Sequence, residues 1–442
     1  MKRGTFIRRG LVRTHVASIA VIGLGPAGLA TGIAFASGGH RVLGIDVDSN
    51  RVEQIQNANP PFHEAGLKPA LRRVIRVGRF RVADVFEPMV SEAEFVFLCV
   101  GTPSRDDGSM DDGALKTAAT SVAKAAIDKR RRTLVVKSTV VPGTTETVIR
   151  PILDSSGAPF RIAVNPEFLR EGKALADTLH PDRIVIGAGD SVTAKRIRAL
   201  YRPAKCPVYL TTLRTAEMIK YATNGFLATK VAFANELANL CDVFGVSYDE
   251  VHRGLALDPR INPRFLIPGV GFGGSCFPKD IRALAVAGQA HGYDPSLLRA
   301  ILTQNDQQFL RAVELLESEL GSLRAKRIAL LGLAFKGGTD DVRESRAVPI
   351  AKALKERGAV VIGYDPVATT NFHKAVPDVV IATSIEEALK DADGCIVQAD
   401  WPAFAKLSAA DFLKPMAAPV VVDGRRILKP NRMKGVRLRR IG

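Results

Sequence analysis

Cys276 lies in the run Phe272-Gly273-Gly274-Ser275-Cys276-Phe277-Pro278-Lys279-Asp280, the stretch of this sequence best suited to nucleophilic chemistry. Pro278 suits the first turn of a helix, which leaves the sulfur at that helix's amino end. There the helix dipole and nearby Lys279 favour a thiolate, and Asp280, four residues on, is within reach to accept a proton or order a water. The preceding glycines suit a reactive, accessible cysteine better than an inert core one. Lys220 and Asn224, four apart in Glu217-Met218-Ile219-Lys220-Tyr221-Ala222-Thr223-Asn224, project from one helical face. An ammonium beside an amide can donate to a developing oxyanion, although spacing alone equally describes a helix surface pair. Glu167 and Glu171, in Asn165-Pro166-Glu167-Phe168-Leu169-Arg170-Glu171, repeat that spacing. On a helix they would present two carboxylates to one site; either suits general-base work on water, and two solvated glutamates are the plain alternative.

A different chemistry is written near the start. Gly23-Leu24-Gly25-Pro26-Ala27-Gly28 follows a short β-branched run, Ser18 to Ile22, and opens a small-residue helix ending near Ser37. Gly23, Gly25 and Gly28 allow the turn, the approach of backbone to a pyrophosphate, and tight packing of helix on strand. Asp46 closes the next strand, Arg41 to Ile45, where a carboxylate accepts from ribose hydroxyls and favours NAD over NADP.

The elements that must carry these groups alternate. Strand patterns at Phe95 to Val100, Thr133 to Lys137, Arg161 to Val164, Ile184 to Ile186 and Val208 to Leu210 are separated by helical ones, which predicts a mostly parallel, doubly wound sheet. From Thr215 to Phe244 helix formers run on with little turn punctuation, a helix of roughly 45 Å at the standard rise. A second α/β block begins at Arg327, with strands at Ile328 to Leu331, Val360 to Tyr364, Gly394 to Val397 and Val420 to Val422. The expected architecture is α/β: two Rossmann-like doubly wound parallel-sheet domains, residues 1–210 and 322–442, joined by a long central helix and helical domain, 211–321.

Composition narrows the class further. The chain has 442 residues, 46% hydrophobic and 24% charged, proportions ordinary for a multidomain globular protein. The net charge of +17 invites a nucleic-acid reading. Its densest runs are the arm with Lys2, Arg3, Arg8, Arg9 and Arg13, then Lys129 to Arg132, then Arg432 to Arg440; none interleaves aromatic stacking residues, so solvated surface charge is expected and no nucleic-acid partner. Five cysteines without a CxxC pair or a histidine cluster give a metal site no support. The uncharged stretch Val16 to Gly39 resembles a signal or membrane segment, but six glycines and Pro26 make it a poor apolar helix. A cytoplasmic location without membrane contact is the expectation.

Taken together the motifs resemble the UDP-glucose/GDP-mannose dehydrogenase family, in particular the branch acting on UDP-glucose. The stretches carrying the likeness are VGTPS (Val100 to Ser104), KSTV (Lys137 to Val140), NPEFLREG (Asn165 to Gly172), AEMIKYATN (Ala216 to Asn224), FGGSCFPKD (Phe272 to Asp280), LGLAFKGGTDDVRES (Leu331 to Ser345) and DGRR (Asp423 to Arg426). The resemblance implies a four-electron oxidation of a nucleotide sugar by two NAD, with Cys276 holding the aldehyde as a thiohemiacetal and then a thioester. It implies that Asp280 and Thr139 assist proton removal, that Lys220 and Asn224 hold the oxyanion, and that Glu167, aided by Glu171, assists hydrolysis. Cofactor contacts would fall to Gly23, Gly25, Gly28, Asp46, Arg51, Thr102, Thr139, Glu171 and Arg343. Sugar-nucleotide contacts would fall to Glu167, Phe168, Leu169, Lys220, Asn224, Arg260, Phe265, the loop from Gly269 to Gly273, Lys336 and Arg425. UDP-glucose is the implied substrate, with GDP-mannose or another nucleotide hexose as the alternative. A homodimer or higher homo-oligomer through the central helix is implied as well, with Arg260 reaching a neighbouring subunit.

Overall fold

The structure is a computed structural model that describes residues 16–126, 128, 130–201 and 204–442. Lys129 and the basic arm with Lys2, Arg3, Arg8, Arg9 and Arg13 lie outside the described residues.

The first sheet contains β1 (Ser18–Ile22), β2 (Arg41–Ile45), β3 (Phe80–Ala83), β4 (Phe95–Leu98), β5 (Arg132–Val136), β6 (Phe160–Val164), β7 (Ile184–Ala188) and β8 (Val208–Thr211), in the order β3-β2-β1-β4-β5-β6-β7-β8. Neighbours run parallel except β6 and β7. All five residues of β1 are buried, because helices cover both faces of a central parallel strand. Each Ile or Val so buried contributes about 1.5–3 kcal/mol. The second sheet contains β9 (Arg327–Leu331), β10 (Val360–Tyr364), β11 (Val380–Ile381), β12 (Gly394–Val397), β13 (Val420–Asp423) and β14 (Arg437–Arg440), in the order β11-β10-β9-β12-β13-β14. Both sheets wind outward from their first strand and return beside it, at β4 and at β12. The two expected doubly wound sheets are therefore present, and each opens a crevice at the carboxyl ends where its winding reverses.

The helix Leu213–Phe244 spans 32 residues, about 48 Å, between the two sheets. Thr212 caps its start by accepting from Thr215 N, and Gly245, left-handed at φ 66°, ends it. Ala216, Lys220, Asn224 and Ala228 recur along its buried side, so the four-residue spacing does set Lys220 and Asn224 on one face.

Two basic runs differ from their expected solvation. Arg132 is buried: its guanidinium donates to Val90 O and Ser91 O at 3.0 Å and pairs with Asp128 at 2.5 Å. Arg437 to Arg440 form β14, an edge strand paired parallel with β13. Its arginines reach Glu319 and Asp249, and such charge on an outer strand discourages pairing with another chain. Among the described residues no helix is long and apolar enough to cross a membrane, and no group of three or more His, Cys, Asp or Glu is arranged to hold a metal.

Candidate active site

The carboxyl ends of both sheets border one cleft of about 1310 Å³. On its cofactor side the turn after β1 needs Gly23, at φ +88°, where a Cβ would sit 2.9 Å from the Cys99 backbone. At Gly28 a Cβ would fall 1.8 Å from Gly23 O, so the helix Pro26–Ser37 packs as closely as glycine permits. Gly25 has nothing within 4 Å of where a side chain would start; it caps that helix without a side-chain partner, leaving first-turn N–H groups to meet a phosphate. Asp46 fixes the turn: its Oδ2 accepts from Leu24 N at 2.7 Å and from Arg51 Nη1 at 3.0 Å. Thr102 Oγ1 donates to Thr139 O at 2.7 Å, which ties the ends of β4 and β5 together beneath the groove. Open backbone at Gly25, a carboxylate at the end of β2 and a guanidinium beside it fit a bound dinucleotide.

Cys276 lies deeper along the same cleft, at the amino end of the helix Phe277–Ala290. Lys220 and Glu167 face it as a buried ion pair, Nζ to Oε1 at 2.7 Å. Asp280, almost wholly buried, accepts from Asn224 Nδ2 at 2.6 Å and from Lys279 Nζ at 2.5 Å. Thr139 lines the wall. The six residues expected to do the chemistry, Cys276, Asp280, Lys220, Asn224, Thr139 and Glu167, are thus drawn together from four separate stretches of chain.

The expected thiolate is not what the geometry favours. Burial pushes the Cys276 thiol up to about 11; Lys220 pulls the other way, but Glu167, Glu171 and Asp280 add to the rise. Lys279 is spent on Asp280, and a helix dipole does not overcome three carboxylates. Cys276 therefore rests as a thiol and needs a base.

Glu167 and Glu171 are not on a helix. Residues 165–170 are irregular, and the two carboxylates reach the cleft from a loop instead. Burial disfavours Glu167's charge, yet Lys220 and the Leu169 N–H, which donates to Oε2 at 2.7 Å, hold its carboxyl below the ordinary range. Lys220 is correspondingly raised by Glu167, Cys276 and Asp280 against burial. Glu171 behaves oppositely: burial, then the nearby charge of Asp341, pushes it up to about 7. Arg343 stands 3.8 Å from it and 2.6 Å from Asp341, so the second sheet domain closes this end of the site.

The expected sugar-nucleotide residues scatter more widely. Leu169 lines the cleft. Phe168 lies under Arg183, 4.0 Å from its guanidinium carbon, with Lys220 Nζ 5.7 Å from the ring centre. Gly269 and Gly273 press against the second sheet domain, with ideal Cβ positions 2.4 Å from Gly424 O and 2.1 Å from Glu344 O. Arg425 joins the two, donating to the carbonyls of Gln398, Gly271 and Phe335, and Lys336 Nζ stands 5.4 Å from the Phe335 ring centre. Arg260 and Phe265 are not brought into this chain's cleft: Arg260 is 87% exposed and paired with Asp258, and Phe265 is exposed at φ +66°. Sequence reasoning missed Ser275, Asp341 and buried Lys137, whose Nζ donates to Asn165 Oδ1 at 3.2 Å. Each lies in a recognised motif, but only folding shows that Lys137 and Asp341 converge on Glu167 and Glu171.

The chain matches three models of one family: the NAD binding domain over residues 17–205, the central domain over 214–307 and the UDP binding domain over 329–430. It is 44% identical over 421 residues to a UDP-glucose 6-dehydrogenase of Haloferax volcanii, covering 93% of this chain and 97% of that one. A UDP-glucose 6-dehydrogenase of Bacillus subtilis is 39% identical, covering 92% and 93%. Among solved structures, a UDP-glucose dehydrogenase from Pyrobaculum islandicum superposes with a TM-score of 0.91 at 40% identity, covering 99% of both chains. A UDP-D-ManNAc dehydrogenase from Pyrococcus horikoshii does so with 0.83 at 30%, covering 96% and 98%. With a glycine turn built for a dinucleotide and a buried constellation around a cysteine at one cleft, the chain belongs to the UDP-glucose/GDP-mannose dehydrogenase family and is an NAD-dependent nucleotide-sugar dehydrogenase.

Proposed function

We propose that the chain converts UDP-glucose to UDP-glucuronate in two successive oxidations and a hydrolysis, with Cys276 retaining the sugar between them. The observation that carries this is a thiol and Glu167 lining one cleft, with Lys220 buried against Glu167 and Asp280 buried beside Asn224 just behind them. NAD, when bound along the Gly23–Gly28 turn, accepts a hydride from the sugar's C6 in each oxidation. Asp280, held by Asn224 and Lys279, takes up the hydroxyl proton through an ordered water beside Thr139. The Cys276 sulfur then adds to the aldehyde carbon, and Lys220 with Asn224 donates to the oxygen that becomes negative. Once C6 is at the thioester level, Glu167 takes a proton from water as its oxygen bonds to C6. The carbon–sulfur bond breaks, and the sulfur regains a proton. Capture by sulfur stops the aldehyde from leaving or hydrating between the two oxidations.

In this reading residues 1–210 hold the cofactor, 211–321 supply Lys220, Asn224 and Cys276, and 322–442 hold the nucleotide through Lys336 and Arg425. The identities of 36–44% to UDP-glucose 6-dehydrogenases favour glucose over the N-acetylmannosamine of the more distant structural relative. Incubation with NAD and UDP-glucose, UDP-N-acetylmannosamine or GDP-mannose tests this: kcat/KM is expected to be highest for UDP-glucose, by at least about tenfold, and a preference for either other sugar overturns the assignment.

The central helix also leaves Phe226, Phe233 and Phe244 exposed by 66%, 55% and 75%. Apolar surface repeating along one helix favours an isologous contact with a second copy. Light scattering is expected to give a dimer or a multiple of it; a monomer at micromolar concentration contradicts this.

A further inference from the structure

Capture of the aldehyde requires the resting Cys276 thiol to lose its proton, and its own neighbours resist that. Asp280 already accepts two hydrogen bonds, and Glu167 is engaged by Lys220 and Leu169 N. Ser275 is differently placed. Its Oγ lies 3.6 Å from Cys276 Sγ and donates a short hydrogen bond to Glu171 Oε1. Because that hydroxyl's proton points to Glu171, its lone pairs remain to accept from the thiol. The other side of the Glu171 carboxyl meets the Asp341 carboxylate, an acceptor for a proton carried on Glu171.

We propose that Ser275 and Glu171 form a proton relay for Cys276, Ser275 touching the reacting sulfur and Glu171 acting through it as the base. As the sulfur–carbon bond forms, the S–H proton passes to Ser275 Oγ and the hydroxyl's own proton to Glu171, while the aldehyde oxygen is protonated by Lys220. No electron pair leaves the enzyme. In hydrolysis the relay runs backward: the carbon–sulfur bond breaks and Glu171 returns its proton through Ser275 to the sulfur. The groups facing Glu171 are Ser275 and Cys276 from the glycine loop, and Asp341, Arg343 and Lys336 from the second sheet domain. Burial and Asp341, opposed by Ser275 and Arg343, bring Glu171 to about 7, a value suited to a base working near neutrality.

The relay rests on the reading of Cys276 as the aldehyde catch, but it can be tested without sugar or cofactor. The rate of iodoacetamide alkylation is followed against pH, with peptide mass spectrometry isolating Cys276 from Cys99, Cys206, Cys241 and Cys395. The wild-type rate is expected to rise in two steps, one near pH 7 as Glu171 ionises and one toward the thiol's own ionisation near 11. Ser275→Ala and Glu171→Gln should each lose the first step, reducing the rate at pH 8 by roughly 10²-fold, and Ser275→Thr should keep it. A first step that survives in Ser275→Ala, or is absent from the wild type, overturns the relay. One NADH per sugar would instead defeat the reading of Cys276 as a catch and leave the alkylation profile to stand on its own result.

Discussion

Cys276→Ala is expected to stop uronate formation, lowering turnover to acid by about 10⁴-fold or more, the scale on which loss of a covalent nucleophile acts. The sulfur lies both beside Lys220 and at the amino end of the helix Phe277–Ala290. No neighbouring group replaces it: Ser275 Oγ is held by Glu171, 3.6 Å from the sulfur, and a hydroxyl is intrinsically far less nucleophilic than a cysteine sulfur. NAD affinity should change little, because the turn at Gly23 to Gly28 and the Asp46–Arg51 pair are built from β1 and β2 and their following loops. Chromatographic measurement of UDP-glucuronate, with NADH fluorescence titration for binding, checks both parts. Acid production by the alanine variant at the wild-type rate would remove the covalent step.

The second large effect is expected at Glu167. Glu167→Gln should slow turnover by roughly 10²–10⁴-fold, the usual contribution of a general base, and should do so after the second oxidation. The Cys276 peptide is then expected to carry the sugar nucleotide as a thioester in mass spectra taken during turnover. Glutamine is the informative replacement, because it keeps the side chain's shape and its amide oxygen can still accept from Lys220 or from Leu169 N, which in the wild type reach Oε1 and Oε2. Lys220→Ala, by contrast, would leave a buried carboxylate unpaired at a cost of roughly 3–5 kcal/mol, and a fall in Tm would accompany any loss of rate. An unmodified Cys276 peptide in the Gln variant, with turnover undiminished, would show that hydrolysis uses another base.

What was legible in the sequence was whatever repeats locally. Alternating β-branched runs and helical stretches disclosed both sheets, and unbroken helix formers disclosed the helix Leu213–Phe244 to within two residues at its start. Four-residue spacing placed Lys220 and Asn224 correctly, since that helix is real. The same spacing misled at Glu167 and Glu171: Pro166 precedes an irregular loop, and a loop brings two carboxylates to one cleft without helical geometry. Long-range electrostatics were illegible for a similar reason. The ionisation of Cys276 is set by its burial and then by Lys220, Glu167, Glu171 and Asp280, and Glu171's by burial and then by Asp341 from 170 positions away. Arg132 looked like one more surface charge until the chain wrapped Val90, Ser91 and Asp128 around it. The short edge strand β14 was hidden because its arginines lack an apolar alternation.

One sugar is expected to stay on the enzyme through both oxidations. Supplying a limiting, known amount of UDP-glucose with excess NAD and counting the NADH formed at completion tests it most directly. Two NADH per UDP-glucose, with uronate as the product, is the expected count. One NADH per sugar, with free aldehyde in solution, would contradict it.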